Sequence, residues 1–281
     1  VGTEKVDYRE VRETNLITLY SRAVQSRGRH PVLRDVYAEQ LVDRLDYDFS
    51  RLRIPEGSAM QVALRARQFD TITTEFVRAH PDGVVLHLAC GLDSRYLRTA
   101  PPETVDWFDV DFPDVTGLRE RLFPEPGPNY HLIGSSVTDP AWLDRVPTDR
   151  PGLVVAEGLV MYLTEAEGLA LLRRVAAHLA GAELAFDILT PWGARLGNLN
   201  PMLRRTGAGF RWGIADPADL ARQLPGATLR SATPMFKLPG VEELPRAYRV
   251  ATKAAALVPA FRRMASLVRL TVSPGGNRPR S

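Results

Sequence analysis

Two hydrophobic periods divide the chain. Up to about residue 80, apolar positions recur at helical spacing. A polar helix is predicted from about Asp7 to Gln25 and a second from about Val32 to Leu45. A longer helix follows Pro55, where Val62, Ala66, Phe69 and Phe76 form one apolar stripe. From Pro81 onward, short apolar runs alternate with amphipathic segments. Strands are predicted at Val84 to Leu88, Val105 to Val110, Tyr130 to Ile133, Leu153 to Ala156 and Glu183 to Leu189. Helices are predicted between them, near Ser94 to Arg98, Asp114 to Phe123, Pro140 to Arg145 and Glu165 to Ala180. Buried strands alternating with amphipathic helices predict an α/β protein: a Rossmann-like, doubly wound, mostly parallel sheet with an N-terminal helical cap.

Thr190 to Gly213 has no period and is rich in Pro, Gly, Asn and Arg, so a lid insertion is expected at about 190–215. A helix at Asp216 to Gln223, a strand near Thr228 to Thr233 and a basic helix from about Val241 to Val272 are predicted after it. Residues 273–281 read as a flexible tail. The expected division is a cap over 1–80, a ligand-binding domain over 81–272 and the tail.

A chain of 281 residues with 44% hydrophobic content buries one good-sized core. No run approaches the roughly 20 apolar residues of a membrane span, and the N-terminus lacks the apolar core of a signal peptide. A cytoplasmic protein without a membrane partner is expected. The single cysteine, Cys90, fits a reducing compartment and forms no multi-thiolate metal site. A net charge of +3 gives only a weak pull on nucleic acid, and no nucleic-acid partner is expected. The distribution is uneven. Residues 191–281 hold 15 Lys/Arg against 4 Asp/Glu, whereas residues 1–190 hold 21 against 29. An acidic first part and a basic last part suggest two binding tasks of opposite charge.

The central motif is Val84-Val85-Leu86-His87-Leu88-Ala89-Cys90-Gly91-Leu92-Asp93, an apolar strand running into small residues and a helix start. Small side chains at the carboxyl end of a first strand let the backbone approach a nucleotide-like ligand. Asp111 ends the second strand, 22 positions after Ala89, where an acid accepts hydrogen bonds from ribose hydroxyls. Glu157 ends the fourth strand on the same sheet edge. Singly, each carboxylate also reads as a cap or a surface group; their convergence on one edge argues for a site. Dinucleotide enzymes share this geometry, but a pyrophosphate calls for G-x-G-x-x-G, and here Asp93 and Ser94 follow Gly91 without a third glycine. An aspartate there repels a diphosphate and suits a cationic, phosphate-free ligand such as S-adenosylmethionine (AdoMet).

With these motifs in place, the chain resembles the leucine carboxyl methyltransferase family, in particular its bacterial polyketide-methylating branch. The matching pieces are Ala66-Arg67-Gln68-Phe69-Asp70, the Leu88 to Arg95 segment and Phe108-Asp109-Val110-Asp111-Phe112-Pro113. Gly134-Ser135-Ser136-Val137-Thr138-Asp139 and Ala156-Glu157-Gly158-Leu159-Val160-Met161-Tyr162-Leu163 complete the set, within roughly residues 30–235. The resemblance implies an AdoMet-dependent O-methyltransferase. It implies that Arg67 reaches the AdoMet carboxylate from the cap, that Ala89 and Gly91 pass beneath the methionine part, and that Asp111 binds ribose. It further implies that Ser136 and Val137 bracket adenine and that Glu157 lies near the amino group; Arg34 is loosely matched to a cap lysine. Where the eukaryotic pattern reads Asn-Leu-Gly-Ala-Gly, this chain has His87-Leu88-Ala89-Cys90-Gly91, which places a methyl group at the closest backbone approach. Arg67 and Asp70, three apart on one helix, are expected to pair, with Arg65 on a different face.

The catalytic candidates are His87, Tyr162, Arg204 and Arg211. Of the five histidines only His87 falls near the expected ligand, and a strand histidine among apolar residues is more often a structural group than a base. A carboxylate acceptor, pKa about 4, needs no base at neutral pH, whereas a phenol, pKa about 10, does. Without an evident acid–base pair, the expected acceptor is a carboxylate on a small anionic aromatic molecule, held by Arg204, Arg205 or Arg211. Trp192, Phe210, Trp212 and Phe236 are candidates for stacking on it. A phenol or other hydroxyl acceptor, a protein C-terminal carboxylate, a nicotinamide enzyme and a non-catalytic binding module stay as alternatives. An oligomer is compatible with the sequence.

Overall fold

The computed structural model describes residues 13–124, 126–179, 181–200, 203–204 and 207–273. The first six residues of the expected Asp7 to Gln25 helix and nearly all of the expected tail therefore lie outside the described residues. Three helices open the chain: α1 (Glu13–Ser26), α2 (Val36–Arg44) and α3 (Glu56–Ala79). Asp35 caps α2 by accepting the Ala38 N–H. Its carboxylate also receives Arg22 of α1 at 3.0 Å.

Beyond α3 the strands are β1 (Val84–Leu88), β2 (Asp106–Asp111), β3 (Tyr130–Gly134), β4 (Gly152–Ala156), β5 (Ala182–Leu189), β6 (Ala227–Pro234) and β7 (Ala265–Val272). They form one sheet in the order β3-β2-β1-β4-β5-β7-β6. The first five run parallel, while β7 is antiparallel to both β5 and β6. The intervening helices are α4 (Arg95–Thr99), α5 (Pro113–Leu122), α6 (Glu165–His178), α7 (Pro191–Gly197), α8 (Pro217–Arg222), α9 (Arg246–Leu257) and α10 (Pro259–Arg262).

The helix expected from Val241 to Val272 is corrected by this topology, because it stops at α10 and Ala265–Val272 is a strand. Leu267, Val268, Leu270 and Val272 are buried there between two strands. Tertiary pairing overrides the helical reading of a short apolar run.

Strand alternation gives the sheet two apolar faces. Val84, Leu86, Leu88, Phe108, Val110, Val154, Leu184 and Phe186 pack with Leu171, Leu172 and Val175 of α6. Val85, Trp107, Leu153, Val155 and Ala185 pack with Ala63, Leu64, Phe69 and Phe76 of α3. Toward the carboxyl ends of the strands, the rows on the α3 side turn polar: Val85 gives way to His87, Trp107 to Asp109 and Asp111, Val155 to Glu157, and Ala185 to Asp187. The α3 face of the sheet therefore ends in a buried polar layer at the edge where ligands bind in open α/β sheets.

Candidate active site

A cavity of about 630 Å³ opens over this polar edge, roofed by α1 and α3 and flanked by Gly197, Asn200, Leu203, Ala208, Phe210 and Arg211. The turn after β1 forms its floor. Ala89 and Gly91 both have positive φ, 51° each, so the chain curls tightly under the cavity. A Cβ on Gly91 would stand 2.9 Å from Asn15 Oδ1 of α1, so the glycine keeps the space between turn and cap open. Ala89 holds the same left-handed conformation with a side chain, at a cost of about 1–2 kcal/mol.

Asp111 fixes the turn from β2. Its Oδ2 accepts the Gly91 N–H at 2.7 Å and its Oδ1 accepts the Phe112 N–H at 2.8 Å. The next loop, Ser135 to Thr138, lines the cavity and is tied to the same strand by the Ser135 N–H donating to Asp111 O at 2.7 Å. Ala89, Gly91, Asp111, Ser136, Val137 and Glu157, six of the positions expected to hold AdoMet, all face this one cavity.

Arg67 does not face it. It donates to Glu243 Oε2 at 2.7 Å and to the carbonyls of Val32 and Pro239, on the far side of α3. Its expected pairing with Asp70 is absent among the described contacts, because Arg95 and Arg98 hold Asp70 at 2.9 and 2.8 Å. Of the two α3 arginines, it is Arg65 that lines the cavity. Two residues apart on a helix is a turn of about 200°, so only one of the pair can point into the site. Gln61, one turn before Arg65, lines the cavity with it. Arg65 Nε donates to Glu157 Oε1 and its NH1 to Asp187 Oδ2, both at 2.9 Å. No described hydrogen bond engages NH2. Arg34 is exposed and outside the cavity; Arg22, buried against Asp35 and Leu92 O, lines it from the cap.

His87 is buried with both ring nitrogens engaged. Nδ1 donates to Asp109 Oδ1 at 3.0 Å and Nε2 receives Arg95 NH1 at 3.1 Å, which fixes the neutral Nδ1–H tautomer. Asp109 also accepts Trp107 Nε1, Tyr130 Oη and Arg119. Burial pushes its carboxyl up, but Arg119 and His87 outweigh that and hold its pKa at about 2. Asp93 behaves alike: burial opposes ionisation, yet Arg95, Arg98 and Arg22 keep it well below the usual carboxylate range. Its charge is neutralised from beneath, so the repulsion of a diphosphate expected of Asp93 is not its main effect; it anchors α4.

Burial is also the largest influence on Glu157, overcome by Arg65 and by Arg95, which donates to Oε2 at 2.5 Å, and its pKa is lowered. Asp187 goes the other way. Burial raises its pKa despite Arg65 and the Gly158 N–H, which donates to Oδ1 at 2.6 Å. Tyr162 lines the cavity opposite Phe210, ring centroids 5.1 Å apart. Burial raises its phenol further, so it stays protonated at neutral pH.

The basic lid contributes less than its charge suggested. Arg204 is exposed and does not line the cavity, and Arg205 lies outside the described residues. Arg211 reaches the rim, 57% exposed, with NH1 3.6 Å from Glu167. Of the four candidate stacking aromatics, only Phe210 lines the cavity. Trp212 is buried against Gly168 in the core, and Trp192 pairs with Phe261 outside it. Sequence reasoning missed Thr14, Asn15, Thr18, Arg22, Gln61 and Asp187. Asp187 had one signal, an acid inside the apolar run from Leu184 to Leu189.

Among the described residues, the cavity lining carries five carboxylates (Asp93, Asp111, Glu157, Glu167, Asp187) against three arginines (Arg22, Arg65, Arg211). Arg95 and Arg98 behind the lining also pair with Asp93, and Arg95 with Glu157, so the excess of acid at the cavity wall is partly cancelled. The glycine-floored turn, the Asp111 acceptor and the apolar Val137 suit a nucleoside: room for close approach, an acceptor for hydroxyls and an apolar wall for a base. Fold and site thus define an α/β enzyme that takes a nucleoside ligand at the carboxyl edge of its sheet.

The chain belongs to the leucine carboxyl methyltransferase family, whose model matches residues 15–176. It is 49% identical over 229 residues to the tetracenomycin polyketide synthesis O-methyltransferase TcmP of Streptomyces glaucescens, covering 82% of this chain and 84% of the relative. It is 38% identical over 246 residues to the AdoMet-dependent methyltransferase dpfgK of Gibberella zeae, covering 80% and 83%. In three dimensions it resembles a DUF574-family protein from Streptomyces avermitilis, with a TM-score of 0.61 at 15% identity over 95% of this chain and 99% of the other. The protein is an AdoMet-dependent methyltransferase. No helix among the described residues is long and apolar enough to cross a membrane.

Proposed function

We propose that the chain methylates a carboxylate oxygen of an aromatic polyketide-type acid, producing a methyl ester. One observation carries the choice of carboxylate: among the described residues, each proton acceptor lining the cavity is already engaged. Both His87 nitrogens are hydrogen-bonded. Asp187 is held by Arg65 and Gly158, Glu157 by Arg65 and Arg95, and Asp93 by Arg95 and Arg98. Glu167 caps α6 through Thr164, and Asp111 holds the β1 turn. Tyr162 is protonated. An acceptor that is already an anion at neutral pH asks nothing of these groups, whereas a phenol needs one of them to leave its partner.

AdoMet supplies a methyl group on a sulfonium, which passes to the acceptor oxygen as the carbon–sulfur bond breaks and S-adenosylhomocysteine is left. The residues of the chain position and shield. In this reading Asp111 takes the ribose hydroxyls, Ser136 and Val137 bracket adenine, and Glu157 and Arg65 meet the charged amino-acid end; their position on the cavity wall supports these roles. Tyr162 and Phe210 supply ring walls for a flat acceptor, with Gln61 and Asn200 as polar contacts. Arg211 at the rim attracts its anion. In-line transfer depends on this positioning and on exclusion of water. The role of TcmP in polyketide synthesis supports the acceptor class. A cytoplasmic setting belongs to the same proposal and is supported by the unpaired Cys90.

The test is turnover with paired aromatic acids and their phenolic analogues, with products identified by mass spectrometry and alkaline hydrolysis. An alkali-labile ester from the acids is expected, with no steep rise in rate between about pH 6 and 9. An alkali-stable ether from the phenols alone would overturn the carboxylate assignment.

A further inference from the structure

A second cavity, of about 510 Å³, lies between α4, the end of α5 and the edge strand β3, and among the described residues it shares no lining residue with the first. Tyr96, Phe123 and Tyr130 give it aromatic walls, Leu97 and Leu132 close it, and Arg119 forms its inner side. Arg119 is 4% exposed and joins the two cavities. Its NH1 donates to the carbonyls of Gly91 and Asp93 at 2.8 and 2.7 Å, which holds the AdoMet turn from behind. Its NH2 pairs with Asp109 and donates to Tyr130 Oη. Its Nε is buried without a hydrogen-bond partner. The Phe123 ring, itself part of the cavity wall, covers the guanidinium at 4.6 Å.

We propose that this second cavity binds a flat, neutral aromatic molecule bearing an edge oxygen, and that its occupancy tightens AdoMet binding through Arg119. The rings and the volume suit two or three fused rings. Displacement of Phe123 lets the ligand oxygen accept the Arg119 Nε–H, the one donor of that guanidinium left unmatched. Exposed Glu120 on the lining selects against a carboxylate, so the ligand differs in charge from the acceptor acid. Arg119 held at Nε keeps NH1 on the Gly91 and Asp93 carbonyls, which favours the turn conformation that receives AdoMet. Linkage makes the effect reciprocal.

The probe is 1-naphthol, with 1-naphthoate as the charged control, titrated calorimetrically into the full chain with and without S-adenosylhomocysteine. Saturating 1-naphthol is expected to tighten S-adenosylhomocysteine about fivefold, and the nucleoside to tighten 1-naphthol by the same factor. Leu132→Trp fills the cavity and is expected to abolish 1-naphthol binding and the coupling while S-adenosylhomocysteine binds as in the wild type. Leu97→Trp, from the opposite wall, gives the same readout if Leu132→Trp does not fold. Binding of 1-naphthol that survives both substitutions, or that leaves the nucleoside affinity unchanged, overturns the proposal. Neither result bears on the ester assignment, which is read from products.

Discussion

Arg65 NH1 and Asp187 Oδ2 meet at 2.9 Å, joining α3 of the cap to β5 at the cavity edge. The pair is mostly buried, with side chains 19% and 3% exposed. It fixes the guanidinium plane that Glu157 also holds, and no described hydrogen bond engages NH2. Arg65→Ala is therefore expected to weaken S-adenosylhomocysteine by about 1–3 kcal/mol, the scale of lost hydrogen bonds to a charged group. Arg67→Ala breaks a pair with a 57% exposed Glu243 and is expected to leave that affinity unchanged. Titration calorimetry on both variants checks the assignment, and equal losses would contradict it.

Asp111→Ala removes the acceptor for the Gly91 N–H together with the expected ribose contact. A loss of about 1–3 kcal/mol in nucleoside binding is expected. Asp111→Asn retains one acceptor oxygen and should fall between wild type and Ala. Wild-type affinity in both variants, with normal thermal melting, would remove Asp111 from the site.

Gly91→Ala puts a side chain at φ 51° and a Cβ against Asn15. The backbone alone should cost about 1–2 kcal/mol. The stabilisation of the melting temperature by S-adenosylhomocysteine should shrink as well, which is measured by thermal melts with and without the nucleoside.

His87→Ala leaves Nε2's donor Arg95 and the acceptor Asp109 each short of a partner in the buried layer. Destabilisation of about 2–4 kcal/mol is expected from the cavity and the unmatched groups. The rate profile between pH 6 and 9 should keep its shape in whatever activity survives. Selective loss of turnover, with unchanged melting and a changed pH profile, would make His87 a base after all.

Acid stability follows from the buried carboxylates. Asp109 titrates at about 2 in the folded chain against an ordinary 3.8, so its contribution is present above about pH 4 and is lost as pH falls through about 2. That contribution is about 2 kcal/mol. Asp93, Glu157 and Asp35 are also lowered and act in the same direction. Asp187, raised by burial, acts oppositely: its contribution is present below its ordinary range and is lost as pH rises through the folded value. Circular dichroism should show unfolding concentrated below about pH 4, and Asp109→Asn should flatten that dependence.

The strand-and-helix alternation, the turn at Ala89 to Gly91 and the acids Asp111 and Glu157 were legible in the sequence. Each rests on neighbours in the chain: a period of two or 3.6, a small residue where a strand ends, an acid one step beyond an apolar run. The assignment of β7 was not, because Ala265–Val272 becomes a strand only by lying between β5 and β6, which precede it in the chain. Nor was the choice between Arg65 and Arg67, which depends on the direction α3 faces relative to the sheet. The structure turns Arg65 to the cavity, against Glu157 and Asp187, and Arg67 to the far side, against Glu243. The role of His87 needed Asp109 on the neighbouring strand and Arg95 on α4, both invisible to spacing. The sequence by itself determined the order of elements as far as β5, the family and the sheet edge proposed for AdoMet, since these follow from local periodicity and short motifs. Which charges face the ligand and which face one another was decided only by the tertiary structure, because a buried charge goes to the partner that packing brings within about 3 Å, however far apart the two lie in the chain.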